Sequence, residues 1–329
     1  ISGGRLSTII WMLSLSFHLL LFKKKIDIVH IHLASRQAGL IILLCEIFKI
    51  PTILKLANTG EGSDLGHLKQ NKIFYGKFFY KLIKKASVFI ATTSSMKKEL
   101  VNEHTLPEDK IRIIPNGVNY KVLSKLNSKK DFNNNIIFVG RLVPSKKPEV
   151  LIDAIYNLAN IGIECNVNVY GDGKLYHILK SKLKENNLDK YISLLGNIDQ
   201  KKIITKLQSS NIFVSCSEYE GLSNALLEAM ASGCACICSN IPANIDTILG
   251  GSNKELPNLN DGEFYEAQNG ILFNVGDSIA LSNALKFLLT NEDILFDYGQ
   301  KSQEFIKENY DFDIITNQLE NLYFRLMQK

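Results

Sequence analysis

Short runs of β-branched and aromatic residues alternate along the chain with longer stretches in which apolar residues recur every three or four positions. The runs are typical of buried strands, and the longer stretches are typical of amphipathic helices. Predicted strands cover residues 26–32, 52–56, 88–92, 111–114, 136–139, 166–170, 191–195, 212–215 and 271–273. Predicted helices cover residues 35–49, 71–85, 94–103, 149–160, 175–186, 201–209 and, as two or three elements, 278–328. Strands separated by helices predict an α/β fold with parallel sheets.

Residues 118–135 interrupt this alternation. The segment is rich in Lys, Asn and Ser and has little apolar periodicity, which is typical of a linker. A series of strands and helices lies on each side of it, and 329 residues are enough for two domains. We therefore predict two Rossmann-like domains, with irregular polar segments at 57–68 and 251–269.

Composition narrows the kind of partner. Hydrophobic residues make up 46% of the chain and charged residues 22%, with a net charge of +5. That charge suits an anionic ligand or a membrane surface, and it is too mild to indicate nucleic acid. The six cysteines form no CxxC pair, and Cys234, Cys236 and Cys238 alternate. This alternation is typical of one face of a buried strand in a reducing compartment, so we do not predict a metal site there.

The first apolar stretch, residues 6–22, is shorter than the roughly 20 residues of a spanning helix and contains several polar side chains. Its basic residues, Lys23 to Lys25, follow the stretch, whereas a signal peptide carries them in front. We predict an amphipathic helix at the protein surface or in the core. A helix that lies on a membrane is the alternative.

Residues 215–239 carry the clearest chemical signal. They read as a strand end, a glycine turn, a helix, a glycine stop and a second strand. Gly221, Ser223 and Asn224 open the helix, whose unpaired N–H groups and partial positive charge attract phosphate. Glu220 lies just before the turn. The carboxylate of Glu228, on the helix, could accept hydrogen bonds from both hydroxyls of a ribose. The pattern predicts a site for a nucleotide diphosphate.

Two further loops follow predicted strands. Gly140 ends one strand, and Arg141 and Lys146 then supply two cations that bind phosphate or form a solvated basic loop. Asn58, Thr59 and Glu61 lie in the polar segment 57–68, which suits hydroxyl recognition or is simply exposed. Neither a P-loop motif nor GxGxxG occurs.

Three motifs, GRLVPSK at 140–146, GDG at 171–173 and EGLSNALLEAMASG at 220–233, together resemble family 4 retaining glycosyltransferases of the GT-B fold. DIVHIH at 27–32 and IPNGV at 114–118 are also similar to that family, so the resemblance covers nearly the whole chain. It implies two facing Rossmann-like domains with parallel sheets. Residues 1–120, joined by a helix at 312–329, would form the acceptor-side domain, and 121–311 would form the donor-binding domain.

The resemblance also implies roles for individual residues. Arg141 and Lys146 would neutralise the diphosphate of a nucleotide-sugar donor, and Glu220 would lie beside the donor sugar. These three are the expected catalytic residues. Further donor contacts are expected from Gly140, Gly171, Asn197, Gly221, Leu222, Ser223, Asn224 and Glu228. Asn58, Thr59 and Glu61 are the expected acceptor-side residues, and no metal or other cofactor is expected.

Three departures from the family pattern qualify these expectations. A single helix precedes the strand 26–32, where the family has further strands and a Gly-Gly loop, so we expect the first domain to be shortened. Many members carry a His after the strand equivalent to 52–56, but residues 57–60 of this chain contain none. Asn244 and Asp246 stand where members usually have Gly-Gly followed by Glu.

The expected function is therefore retaining transfer of a hexose or N-acetylhexosamine from a nucleotide diphosphate sugar, with a UDP-sugar as the expected donor. The expected acceptor is lipid-linked or a saccharide, in surface polysaccharide synthesis, at the cytoplasmic side of a membrane with peripheral contact. The alternative is a truncated, non-catalytic remnant that binds a nucleotide sugar. A sugar-nucleotide epimerase of the same fold is a third hypothesis.

Overall fold

The computed structural model describes residues 5–58, 63–70, 74–124, 133–251 and 256–328. The chain forms two compact units. The first unit comprises Ile1–Pro115 and Thr316–Lys329, and the second unit comprises Asn116–Ile315.

The first unit is a parallel sheet with helices. Its elements are α1 (Arg5–Phe22), β1 (Val29–His32), α2 (Arg36–Phe48), β2 (Thr52–Lys55), α3 (Asp64–Gln70), α4 (Phe74–Ile83), β3 (Val88–Ala91), α5 (Ser94–Asn102) and β4 (Ile111–Ile113). The strands pair in the order β1-β2-β3-β4, all parallel. Ile42, Leu54, Ile83 and Phe89 are fully buried in its core. Helix α2 begins where the sequence predicts, because the hydroxyl of Ser35 accepts a hydrogen bond from the backbone of Ala38.

The second unit is a larger α/β layer structure. Its elements are α6 (Tyr120–Leu123), β5 (Asn135–Val139), α7 (Pro148–Asn160), β6 (Asn166–Tyr170), α8 (Tyr176–Glu185), β7 (Ile192–Gly196), α9 (Gln200–Gln208), β8 (Ile212–Ser215), α10 (Asn224–Ala231), β9 (Ala235–Ser239), α11 (Pro242–Ile248), β10 (Phe264–Ala267), β11 (Gly270–Phe273), α12 (Ser278–Thr290) and α13 (Glu292–Asn309). Helix α14 (Phe312–Met327) begins at the end of this unit, and its residues from Thr316 onward belong to the first unit. The sheet of the second unit has the order β10-β11-β9-β8-β5-β6-β7. Every pair is parallel except β10 with β11.

All six cysteines are buried and unpaired. Cys236 and Cys238 lie within β9, and Cys234 directly precedes it. This confirms the prediction of a buried strand. None of the helices in the described part of the chain is both long and apolar enough to cross a membrane.

Two predicted irregular segments contain regular structure. In 57–68, Ser63 accepts a hydrogen bond from the backbone of Gly66, and α3 follows with Leu65 and Leu68 buried. In 251–269, Phe264–Ala267 form β10, an antiparallel edge strand. Both predictions missed an element, because α3 and β10 are stabilised by contacts with residues distant in the sequence.

The predicted linker 118–135 also begins as ordered structure. The backbone N–H of Val118 donates to the carbonyl of Tyr310, and that of Phe312 donates to Val118. Helix α6 follows, and Gln208 donates to two of its backbone carbonyls. The start of this segment therefore belongs to the second unit, and residues 125–132 lie outside the described residues.

Candidate functional site

The candidate site lies where the chain reverses its direction across the sheet of the second unit. From β5 the chain adds β6 and β7 on one side, and it then returns to place β8 and β9 on the other side. In open parallel sheets, ligands bind outside the carboxyl ends of the strands at such a reversal. A cleft of about 480 Å³ lies at this point. It is lined by Phe138, Val139, Gly140, Arg141, Lys146, Gln200, Phe213, Val214, Ser215, Ser217, Glu220, Leu222, Ser223, Asn224, Ala225 and Glu228.

The loop after β5 is held in place by its own backbone. Gly140 donates its N–H to the carbonyl of Tyr170 at 3.0 Å, and Leu142 donates to Asp172 at 2.9 Å. Leu142 is fully buried, so the loop is anchored by a side chain as well. Arg141 is exposed, and its guanidinium has no hydrogen-bond or ion-pair partner among the residues that the structure describes. Its guanidinium is therefore available to an anionic ligand.

Gly171 lies against the backbone of this loop. Its φ of +143° is a conformation that side chains rarely adopt, and a Cβ there would collide with the carbonyl oxygen of Gly140. Gly171 does not line the cleft. The glycine at this position lets the loop with Arg141 lie close to the end of β6.

Gly171→Ala is expected to lower the free energy of unfolding by about 3 kcal/mol, because it adds both strain and a backbone collision. Urea denaturation measures the change. Gly196→Ala is the matched control, since Gly196 has a φ of +67° but open space around its Cβ position. We expect that control to cost about 1 kcal/mol. Equal losses for the two variants would contradict the role assigned to Gly171.

Lys146 and Glu220 form an ion pair inside the cleft. Their side chains are 20% and 13% exposed, so water screens the pair only partly. Ser217 also donates its hydroxyl to Oε1 of Glu220, at 2.9 Å. The carboxylate is thus held at a defined position beside a cation.

A series of buried hydrogen bonds supports the segment before Glu220. Ser239, at the end of β9, donates its hydroxyl to the carbonyl of Ser217. Asn244 donates to the carbonyl of Ser239 at 2.9 Å and is itself 1% exposed. Asn244, which departs from the resembled family's pattern, therefore contacts Ser239 and does not line the cleft.

Helix α10 directs its amino terminus toward the cleft. Ser223 caps the helix by accepting a hydrogen bond from the backbone of Leu226. Asn224 accepts a hydrogen bond from the side chain of Asn116 at 2.9 Å. The partial positive charge of the helix end favours an anion at this side of the cleft.

Glu228 lies one turn further along α10, and Nε2 of Gln200 donates to its carboxylate at 2.7 Å. Burial raises the pKa of the Glu228 carboxyl above its ordinary value, and the hydrogen bond from Gln200 opposes this shift. Gln200 therefore favours the ionised form, which is the form that accepts hydrogen bonds from hydroxyl groups.

Gln200→Leu removes the contribution that lowers the pKa of Glu228, so this pKa should rise further. If Glu228 binds ribose as a carboxylate, affinity for UDP falls as pH decreases through this pKa, and the variant should lose affinity at a higher pH than the parent. Calorimetric titration of UDP across acidic and neutral pH measures the change. Thr205→Leu, an exposed position on the same helix, is the control. Identical pH profiles for Gln200→Leu and the parent would contradict this role.

Most of the predicted donor residues meet in this cleft. The residues that line it are Gly140, Arg141, Lys146, Glu220, Leu222, Ser223, Asn224 and Glu228, whereas Gly171, Gly221 and Asn197 do not line it. Asn58 is exposed in the first unit, three residues after the end of β2. Thr59 and Glu61 lie outside the described residues. Gln200 and Ser217 were not predicted to lie in the site. The only sequence signal for them is their position, at the start of a helix and after the end of a strand.

Two family models match the chain. The model "Glycosyl transferases group 1" matches residues 123–311, which include every residue lining the cleft. The chain belongs to the group 1 glycosyltransferases. The model "Glycosyltransferase Family 4" matches residues 2–122, so the two matches together support a family 4 enzyme of the GT-B type.

Relatives of this glycosyltransferase include a galactosyltransferase and a glycosyltransferase of capsular polysaccharide biosynthesis. The chain is 30% identical, over 75% of its length and 66% of the relative, to the UDP-Gal:alpha-D-GlcNAc-diphosphoundecaprenol alpha-1,3-galactosyltransferase of Escherichia coli. It is 32% identical to the capsular polysaccharide biosynthesis glycosyltransferase CapH of Staphylococcus aureus, over 68% of this chain and 62% of CapH. The chain thus matches just under two thirds of the length of these two relatives.

Solved structures show the same fold. The crystal structure of HepE from Anabaena in complex with UDP superposes with a TM-score of 0.73, at 15% identity, over 97% of this chain and 84% of HepE. The glycosyltransferase therefore has the GT-B fold.

Proposed function

We propose that this glycosyltransferase moves a hexose or N-acetylhexosamine from a UDP-sugar to a lipid-linked or saccharide acceptor, with retention of configuration at the transferred carbon. The observation that carries the proposal is the cleft at the sheet reversal. It combines two cations, a helix amino terminus and two carboxylates in about 480 Å³.

The cations and the helix end suit the diphosphate. Arg141 would bind it by a two-pronged contact, and Lys146 would exchange its partner Glu220 for a phosphate oxygen. When the bond between the sugar carbon and the β-phosphate oxygen breaks, negative charge grows on the leaving UDP. Groups that are already positioned stabilise that charge without reorganising. We therefore propose that departure of UDP needs no metal ion.

The carboxylates suit the two ends of the donor. Glu228 would accept hydrogen bonds from the ribose hydroxyls, and the hydrogen bond from Gln200 favours its ionised form. Glu220 would face the sugar, where positive charge develops as UDP leaves. Asn58 is the described residue that we propose on the acceptor side, with Thr59 and Glu61 next to it in the sequence.

Support for UDP and for a lipid-linked acceptor comes from the names of the relatives. The Escherichia coli relative uses UDP-Gal and an acceptor linked to diphosphoundecaprenol. We propose the same classes of donor and acceptor here, with transfer on the cytoplasmic side of a membrane.

The test begins with binding and continues to turnover. UDP should raise the melting temperature more than GDP or UMP, since a ligand at 100 times its Kd stabilises a protein by about 2.7 kcal/mol. Radiolabelled UDP-glucose, UDP-galactose and UDP-N-acetylhexosamines are then incubated with diphosphoundecaprenol-linked sugars, and product is extracted into organic solvent. Binding without product would favour a non-catalytic protein, and conversion of the donor without any acceptor would favour an epimerase. Failure of every nucleotide to bind would contradict the site itself.

A further inference from the structure

A side-chain contact ties the amino terminus of helix α10 to the segment that precedes α6. The Nδ2 atom of Asn116 donates a hydrogen bond to Oδ1 of Asn224, and the two atoms are 2.9 Å apart. Asn224 is the first residue of α10 and lines the cleft, whereas Asn116 does not line it. Both residues belong to the second unit. The contact therefore acts on a group of the cleft from outside the cleft.

The backbone beside Asn116 is held by other parts of the second unit. Val118 donates its N–H to the carbonyl of Tyr310 at 2.9 Å and accepts a hydrogen bond from Phe312 at 3.0 Å. Val118 is also buried in the same apolar cluster as Leu222, which lies in the turn before α10. The side chain of Asn116 thus starts from a fixed backbone position, so it can hold the amide of Asn224 in one orientation.

The contact sets which end of the Asn224 amide is offered to a ligand. An asparagine amide has an oxygen that accepts hydrogen bonds and a nitrogen that donates two. The oxygen is engaged by Asn116, and the nitrogen has no hydrogen-bond partner in the ranges of the chain that the structure describes. The two N–H groups of Asn224 are therefore the groups available in the cleft.

N–H groups suit the ligand that we place at this end of the cleft. The first backbone N–H groups of α10 and the partial positive charge of the helix end favour an anion. Phosphate oxygens accept hydrogen bonds strongly. An amide turned the other way would direct its own oxygen at those phosphate oxygens and repel them. The orientation of the Asn224 amide should therefore affect how tightly a diphosphate binds.

We propose that Asn116 is a positioning residue, which orients the amide of Asn224 so that its N–H groups donate to the diphosphate of the nucleotide sugar. The inference rests on the proposed function, because it takes a nucleoside diphosphate as the ligand of the cleft. It adds to that function a residue outside the cleft, which acts only through Asn224.

Asn116→Asp reverses the contact. A carboxylate cannot donate a hydrogen bond, so Asn224 has to turn its nitrogen toward residue 116 and its oxygen toward the phosphate. UDP affinity should fall roughly 10- to 100-fold, because a hydrogen bond to a charged group is lost. Asn116→Ala leaves the amide free to take either orientation, so it should cost only about two- to fivefold. Calorimetric titration with UDP measures both losses.

Asn119→Asp is the matched control for charge. The side chain of Asn119 caps α6 by accepting a hydrogen bond from the backbone of Val122, and an aspartate makes the same cap. The added charge is exposed and screened by salt, so UDP affinity should stay within about twofold of the parent. Uridine, which lacks the diphosphate, should bind Asn116→Asp and the parent equally, which shows that the cleft of the variant is folded.

A double-mutant cycle with Asn224→Ala tests whether Asn116 acts through Asn224. In the Asn224→Ala background, Asn116→Asp should change UDP affinity less than about twofold, because no amide remains to be turned. An equal loss in both backgrounds would overturn the proposal, and so would parent-like UDP affinity of Asn116→Asp. Either result would leave the proposed function intact, whereas failure of the parent to bind UDP would overturn both this inference and the proposed function.

Discussion

Glu220→Gln should lower the turnover of the preferred UDP-sugar at least roughly 100-fold while leaving UDP affinity within a few-fold of the parent. The substitution keeps the volume of the side chain and can still accept the hydrogen bond from Ser217. It removes the negative charge that we place beside the sugar, where positive charge develops as UDP leaves. Steady-state kinetics of transfer, together with calorimetric titration of UDP, separate the two effects.

The control for Glu220 is its neighbour Glu218. Glu218 is 51% exposed, and its carboxylate is 3.9 Å from the ammonium of Lys147, so Glu218→Gln should keep turnover near that of the parent. If Glu220 only held Lys146 in place, UDP affinity and turnover would fall together. Unchanged turnover in Glu220→Gln would exclude a catalytic role for this carboxylate.

The second large effect is expected for Arg141 and Lys146. Each replacement by alanine should weaken UDP binding about 10- to 100-fold, because each removes a charge-assisted contact worth roughly 1.5–3 kcal/mol. The double variant should lose on the order of 1,000-fold. Calorimetric titration with UDP measures the loss, and salt should reduce the affinity of the parent more than that of the double variant.

Uridine provides the matched ligand. It lacks the diphosphate, so its weaker affinity should be nearly the same in the parent and in both single variants. Lys147→Ala provides the matched residue, since Lys147 adjoins Lys146 and its ammonium lies near Glu218 and not in the cleft. Equal losses for uridine and UDP would show that the cations act by shaping the cleft rather than by binding phosphate.

Local sequence signals predicted most strands and helices because each is encoded within a few residues. The strands 166–170 and 212–215 and the start of α2 at Ser35 coincide with the structure. The incorrect predictions concern segments whose regular structure is stabilised by residues distant in the sequence. Helix α6 depends on Gln208, and β10 depends on its pairing with β11. Neither partner is visible in the local pattern.

The same division holds for the candidate site. The sequence by itself determined the chemical groups, since a glycine turn before a helix and two carboxylates eight positions apart already indicate a nucleotide diphosphate. Only the tertiary structure decided which groups meet, because adjacency of β5 and β8 brings Lys146 to Glu220, 74 residues away. It also determined the environment of Glu228, because burial raises the pKa of its carboxyl and the hydrogen bond from Gln200 opposes that shift. Contacts between distant residues depend on how the strands are ordered in the sheet, and no local sequence pattern carries that order.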